Sequence, residues 1–112
     1  MTDDALVEGL KAVAHPLRLR ILRALTGAER NVGEIDAVAQ IGQPMLSQQL
    51  AVLRGAGLVQ TRREAKLVFY RIDEARLSAL SQMLDQLHGG SAAPSPEVRR
   101  NATGAARFAR MA

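Results

Sequence analysis

Residues 43–72 read QPMLSQQLAVLRGAGLVQTRREAKLVFYRI, and the spacing of the apolar residues changes within this stretch. Over residues 43–54 they recur every three or four positions, which predicts a helix that Pro44 starts. Beyond the glycines that follow, apolar and polar residues alternate around a polar break at Glu64-Ala65-Lys66, which predicts a β-hairpin. Because two strands alone are not stable in water, this hairpin must pack against helices.

The rest of the chain predicts helices. Their approximate ranges are 3–14, 16–26, 32–40 and 74–88. Pro16 suits the first turn of the second helix, since its missing N–H is not needed there. Asn31 and Glu34 have the spacing of a capping box at the start of the third helix, and that helix is expected to turn Ile35 and Val38 inward.

Helices, a short turn at Ile41-Gly42, a second short helix and a hairpin, in that order, predict a winged helix-turn-helix. The fold class is therefore mainly α with a small β-hairpin. The second helix of such a motif lies in the DNA major groove, where glutamine pairs with adenine and a methionine can contact a thymine methyl. The predicted base contacts are Gln43, Met45, Ser47, Gln48 and Gln49. The alternative is an ordinary solvated face, on which glutamine and serine are tolerated.

Positive charge is concentrated in two parts of the chain. The net charge is +4, and residues 41–71 carry five basic side chains and one acidic one, while residues 97–112 carry four and one. Local positive charge is expected of a protein that binds a polyanion. The predicted phosphate contacts are Arg54, Arg62, Arg63 and Lys66. Alternatively, the hairpin arginines form only a solvated edge that discourages strand pairing.

Composition divides the chain into three parts. Residues 1–88 are expected to form a DNA-binding and dimerisation domain. Residues 89–96, GGSAAPSP, have the composition of a flexible linker, and the basic tail 97–112 has little to bury and is expected to be disordered. The tail arginines either add nonspecific attraction to DNA or are only solvated.

Several classes of function are disfavoured. With no cysteine, the chain offers no disulfide, thiolate metal site or thiol switch. It has no apolar run of about 18 residues and no secretory signal, so we expect a cytoplasmic protein with no membrane partner. No nucleophile–base pair, carboxylate dyad or glycine-rich phosphate loop is seen, so neither an enzyme nor a cofactor is expected. His15, before Pro16, is expected to cap or pack a helix start, with a pH or ligand role as the alternative.

The segments AHPLRLRILRAL, NVGEI and 43–72, together with the last leucine-rich helix, resemble the ArsR/SmtB family of bacterial transcriptional repressors. The resemblance covers roughly residues 5–88. It implies a homodimer built from the first and last helices, double-stranded operator DNA with an inverted repeat, and repression released by an inducer. By position, the resemblance implies a dimer seam at Leu6, Leu10, Val13, Leu77, Leu80, Leu84 and Leu87.

The chain departs from that family at its sensor sites. Arsenic and cadmium sensors carry cysteines where this chain reads RNVGEI, and redox and persulfide sensors carry them where it has Arg23 and Gly89. Zinc sensors use Asp and His on the last helix with further ligands downstream. Here only Asp85 and His88 stand as metal candidates, and a solvated helix end is the alternative. The resemblance implies an inducer, a small molecule or an ion that the sequence does not identify, and the absence of cysteine excludes one that acts through a thiol.

The expected function is a dimeric, sequence-specific transcriptional repressor. The alternative is a winged-helix module that docks on another protein without sequence-specific DNA binding.

Overall fold

The computed structural model describes residues 2–89, so most of the predicted linker and all of the basic tail 97–112 lie outside the described residues. The elements are α1 (Asp3–Val13), α2 (Pro16–Ala24), β1 (Arg30–Asn31), α3 (Val32–Ala39), α4 (Met45–Gly55), β2 (Val59–Glu64), β3 (Leu67–Ile72) and α5 (Glu74–Leu87). The chain divides into two units, Met1–Ser81 and Gln82–Ala112, and the packing described below is that of the first. Within residues 2–89, no helix combines the length and apolar character that a bilayer crossing requires.

The helices begin where local signals predict. At the start of α3, the Glu34 N–H donates to the Asn31 side chain, and the Asn31 N–H donates to the Glu34 carboxylate, both at 2.9 Å. This confirms the capping box. Pro16 occupies the first position of α2, and His15 Nδ1 accepts from the Leu17 N–H at 3.1 Å. His15 is therefore a helix cap, as expected.

The hairpin lies in a three-stranded antiparallel sheet with the order β1-β3-β2. Glu64 pairs with Leu67 across the two-residue tip Ala65-Lys66, which confirms the predicted hairpin and the position of its break. Strand β1 was not predicted. It places Arg30 opposite Tyr70 and is only two residues long, too short for an alternating pattern to appear in the sequence. The sheet therefore joins the hairpin to the start of α3.

Aliphatic side chains from the helices and from the start of β2 form the core of the first unit. The largest fully buried ones are Ile21, Leu25, Ile35, Leu46, Leu50, Leu53 and Leu58. The expectation that Val38 turns inward is wrong, because its side chain is 54% exposed. Helix α3 instead packs through Ile35 and Ala39, which are one helical turn apart, and Val38 falls to one side of that line.

Candidate nucleic-acid interface

The turn between α3 and α4 is held by side chains from two helices. The Asp36 carboxylate accepts hydrogen bonds from the backbone N–H groups of Gly42, at 3.0 Å, and Ile41, at 2.8 Å. These two bonds lower the pKa of Asp36 from its ordinary value, because they favour the ionised form. Arg20 donates to two carbonyl oxygens at the C-terminal end of α3, which have no partner within the helix. The turn that sets the direction of α4 is thus fixed from both sides.

Gln43 supplies the hydrogen bonds at the start of α4. Its Oε1 accepts from the Ser47 backbone N–H at 3.2 Å and from the Ser47 hydroxyl at 2.8 Å. Pro44 has no side-chain cap bond and precedes the helix, so the predicted start at Pro44 was one residue early. Gln43 and Ser47 are both exposed, and each already has the other as a partner.

Gln48 lies on the outward face of α4. The helix turns its leucines, Leu46, Leu50 and Leu53, into the core, so the opposite face points to solvent. Gln48 occupies the middle of that face and is exposed. Its amide forms no hydrogen bond with the residues that the structure describes, so its donor and acceptor groups both remain available.

Gln49 differs from its neighbour Gln48. It is half-buried, and its Oε1 accepts a hydrogen bond from Arg18 Nη1 at 2.8 Å. Its Nε2 lies 3.1 Å from the Met45 sulfur, to which it donates. Met45 itself is 40% exposed, which leaves part of its side chain open to an apolar contact. Of these two adjacent glutamines, only Gln48 is free of intramolecular bonds within residues 2–89.

The β2–β3 hairpin is the wing of the winged helix-turn-helix, and on it Arg62 contacts other side chains. Its Nη2 lies 2.8 Å from Glu29 Oε1, its Nη1 lies 3.6 Å from Glu64, and its guanidinium lies 4.7 Å above the Phe69 ring. The hydrogen bond to Glu29 is the main reason why the pKa of Arg62 lies above its ordinary value. Arg62 therefore links the wing to the segment before β1.

Three predicted phosphate contacts are exposed cations. Arg54 lies in the last turn of α4, Arg63 on β2 and Lys66 at the hairpin tip. Within residues 2–89, none of the three forms an ion pair or a side-chain hydrogen bond. Each therefore has its full charge available for an anionic partner.

An open groove of about 450 Å³ separates α4 from β3. Ser47, Ala51 and Arg54 line it on the helix side, and Tyr70 lines it on the strand side. Sequence reasoning missed Tyr70, which reads only as a strand-forming residue. A phenol and a guanidinium are both hydrogen-bond donors of the kind that contact phosphate oxygens.

The leucines of the predicted dimer seam differ in exposure. In the first unit, Leu80 is only 3% exposed, and a Cβ atom on Gly9 of α1 would lie 3.1 Å from it. The others of that unit are partly buried against the core, namely Leu6, Leu10, Val13 and Leu77. In the second unit, Leu84 is 47% and Leu87 76% exposed. Among the described residues, Leu80 is thus covered by other side chains of its own unit, whereas Leu84 and Leu87 are exposed.

The metal candidates lie at the C-terminal end of α5, with Asp85 in its last turn and His88 directly after it. His88 Nε2 is 3.3 Å from Asp85 Oδ1, and the His88 side chain is 69% exposed and that of Asp85 45%. Within residues 2–89, no group of three or more His, Cys, Asp or Glu residues is arranged to hold a metal ion. This pair has the geometry of a surface contact at a helix end.

Comparisons with known proteins identify the family. The family model described as "Bacterial regulatory protein, arsR family" matches residues 15–61. The chain is 52% identical over 75 residues to a biofilm growth-associated repressor of Agrobacterium fabrum, a match covering 67% of this chain and 64% of that protein. It is 43% identical over 79 residues to the transcriptional activator HlyU of Vibrio cholerae, a match that covers 70% of this chain and 73% of HlyU. The chain thus spans slightly less than two thirds of the Agrobacterium repressor.

Solved structures have the same architecture. The structure of HlyU from Vibrio cholerae aligns with a TM-score of 0.64 and 40% identity, covering 78% of this chain and 97% of that one. A homodimeric winged helix-turn-helix DNA-binding domain from Mycobacterium bovis aligns with a TM-score of 0.61 and 33% sequence identity. The alignment covers 85% of this chain and 96% of that one. The predicted fold class is therefore confirmed, and the relatives are transcription regulators rather than enzymes. This chain belongs to the arsR family of bacterial regulatory proteins.

Proposed function

We propose that this protein is a dimeric, sequence-specific DNA-binding regulator that represses transcription at an inverted-repeat operator. The observation that carries the proposal is the amide of Gln48 on the outward face of α4, which has no hydrogen-bond partner among residues 2–89. Three exposed cations without a partner in the same range accompany it, Arg54 on the same helix and Arg63 and Lys66 on the wing. An uncharged donor–acceptor pair suits base edges, and surrounding positive charge suits phosphates.

The residues of α4 divide the reading of bases between them. Gln48 is the principal base contact, since an amide can pair with adenine through two hydrogen bonds. The Ser47 hydroxyl donates to Gln43 and keeps acceptor capacity for a base donor. The exposed part of Met45 offers an apolar contact to a thymine methyl. Gln49, which is already bonded on both ends of its amide, has a supporting role.

The DNA backbone is held from two sides in this proposal. Arg54 and Tyr70, across the groove between α4 and β3, bind one stretch of phosphates. Arg63 and Lys66 on the wing bind a second stretch. Arg62, paired with Glu29, contributes to the position of the wing rather than to phosphate binding.

The homodimer forms through α1 and α5 of each chain. Support comes from the solvent-exposed apolar side chains on these helices, Val7 on α1 and Leu84 and Leu87 on α5, and from the Mycobacterium bovis relative described as homodimeric. A two-fold dimer presents two α4 helices to one duplex, so its operator has two inverted half-sites. The centres of these half-sites lie about 34–36 Å apart, which is one turn of the DNA helix, or a multiple of that distance.

Repression is proposed because the Agrobacterium relative is named a repressor, although the Vibrio relative is named an activator. The signal that relieves it acts through chemistry other than a thiol, because these 112 residues contain no cysteine. The metal alternative would require ligands besides Asp85 and His88.

Selection from a pool of random duplexes tests the proposal. The recovered duplex and a scrambled duplex of equal length are then compared by fluorescence anisotropy at several salt concentrations. We expect an inverted repeat, preferred by about 10³-fold or more, with affinity that falls steeply as salt rises. Equal affinity for all duplexes would contradict sequence-specific binding and favour the protein-docking alternative. A reporter gene under the recovered site distinguishes repression from activation.

A further inference from the structure

Arg18 of α2 joins the end of α1 to the face of α4. Its Nε donates to the Ala12 carbonyl oxygen at 2.6 Å, and its Nη2 donates to the Lys11 carbonyl oxygen at 3.2 Å. Its Nη1 donates to Gln49 Oε1 at 2.8 Å. One guanidinium therefore contacts two elements that are far apart in the sequence, and all three of its nitrogens are used.

The chemistry of the two contacted sites makes this linkage specific to arginine. The last carbonyl oxygens of a helix lack intrahelical partners and carry the negative end of the helix dipole, so a cation at the end of α1 is favoured. Arginine has a planar fork of donors that can point to two places at once, whereas lysine has a single ammonium group on a flexible stem. A lysine at position 18 would keep the charge and lose the simultaneous contacts.

The hydrogen bonds from Arg18 continue toward Gln48, the proposed principal base contact. Gln49, which accepts from Arg18, donates through its own amide to Met45 one turn earlier on α4. Gln49 and Met45 are one turn apart and share one side of α4, and Met45, three positions before Gln48, is a surface neighbour of Gln48. A displacement of the α1 end would therefore reach α4 at the side chains next to Gln48.

We propose that Arg18 is a positioning residue for DNA recognition, which fixes α4 relative to α1 through Gln49. The proposal rests on the proposed role of α4 in reading bases. It assigns Gln49 to orientation instead of base contact, and it connects α1, a helix of the proposed dimer, to α4 through the side chain of Arg18.

A double-mutant cycle tests this role. Three variants of the full chain are compared with wild type, namely Arg18→Lys, Gln49→Ala and the double variant. Arg23→Lys is the matched control, because Arg23 is an exposed arginine on the same helix. The probes are the duplex recovered by selection and its scrambled counterpart. Each single change is expected to lower the preference for the selected duplex about tenfold, with the affinity for scrambled DNA and the salt dependence unchanged. The double variant should lose no more than either single one, and Arg23→Lys should lose nothing.

Two outcomes would overturn the proposal. Losses that multiply in the double variant would mean that Arg18 and Gln49 act separately. A weaker affinity of Arg18→Lys for scrambled DNA, with a shallower salt dependence, would make Arg18 a direct phosphate contact.

Amide hydrogen exchange of the free protein examines the linkage without DNA. We expect the α4 amides near Gln49 to exchange about tenfold faster in Arg18→Lys and Gln49→Ala, and at the wild-type rate in Arg23→Lys. Unchanged exchange in Arg18→Lys would refute the linkage even if DNA binding is specific. Faster exchange together with equal binding to all duplexes would uphold the linkage and refute the proposed function instead.

Discussion

The guanidinium of Arg62 lies 2.8 Å from the carboxylate of Glu29, and this pair ties strand β2 of the wing to the segment before β1. The neighbouring carboxylate of Glu64, at 3.6 Å, adds a second negative charge. An arginine whose charge is already balanced gains less from a phosphate than a free one does. The two adjacent wing arginines are therefore expected to behave differently.

Replacing Arg63 by alanine should weaken binding to all duplexes alike and reduce the slope of log affinity against log salt by about one, because one phosphate contact is lost. Replacing Arg62 by alanine should leave that slope nearly unchanged, because the bond it removes is the one that holds β2 to Glu29. Anisotropy titrations from low to moderate salt measure both slopes. Equal slope losses in the two variants would show that Arg62 leaves Glu29 and binds phosphate.

Replacing Gln48 by alanine should cost about 1–3 kcal/mol on the selected duplex and relax the preference for one base pair. The reason is that its free amide is the principal base contact proposed for α4. Affinity for scrambled DNA serves as the control and should barely change. A uniform loss on every duplex would contradict the assignment of Gln48 to base reading.

The bonds to Asp36 make the helix-turn-helix sensitive to acid. Because the folded-state pKa of Asp36 is lowered, its contribution to stability is fully present above its unfolded value, about 3.8, and is lost as the pH falls through the folded-state pKa. The variant Asp36→Asn should therefore be less stable than wild type near neutral pH and lose less stability on acidification. Urea denaturation between pH 7 and pH 2 measures this.

The control for that experiment is Glu8→Gln, which removes an exposed pair with Lys11 at 3.6 Å. Exposed pairs of this kind contribute little, so its acid profile should follow wild type. An unchanged profile for Asp36→Asn would mean that the Asp36 bonds do not contribute to the acid sensitivity of the folded state.

Two glycines near the end of α4 should respond to alanine in opposite directions. Gly57 has a φ of +76°, and an added Cβ atom would lie 2.9 Å from the guanidinium of Arg76. The Arg76 guanidinium is the end of a flexible side chain and can move aside, so the positive φ accounts for the expected cost of Gly57→Ala, about 1–2 kcal/mol. Gly55 is the last residue of α4, and apart from its chain neighbours and the helix's own backbone nothing lies within 4 Å of such an atom, so Gly55→Ala should stabilise by about 0.4–1 kcal/mol. Thermal melts give both values, and equal effects would contradict the conformational explanation.

Two leucines of α5 separate folding from assembly. Leu80→Asp places a charge in the core of a single chain and should unfold it. Leu84→Asp changes an exposed side chain, so the chain should stay folded while the dimer dissociates and the affinity for the selected duplex falls. Sedimentation velocity and circular dichroism report assembly and folding. A Leu84→Asp protein that remains a full-size dimer would exclude Leu84 from the interface.

The sequence by itself determined the five helices and the hairpin, and most of the positions at which they start. The capping box of Asn31 and Glu34, the position of Pro16 and the hairpin around Ala65-Lys66 each depend on residues within a few positions of one another. Local hydrogen bonds and backbone preferences depend only on short segments of sequence. The same holds for the leucine spacing that turns Gln48 outward. This is why the winged helix-turn-helix and its exposed polar face were predictable.

Only the tertiary structure decided which polar side chains are free. Arg18 and Gln49 are 31 positions apart, and Glu29 and Arg62 are 33 apart, so no local pattern indicates either pair. Strand β1 likewise exists only because β3 lies beside it. Long side chains bond to groups that lie near them in space, and the packing of helices and strands decides which groups those are. For this reason the sequence could list Gln48 with Gln49, and Arg62 with Arg63, but could not tell the members of each pair apart.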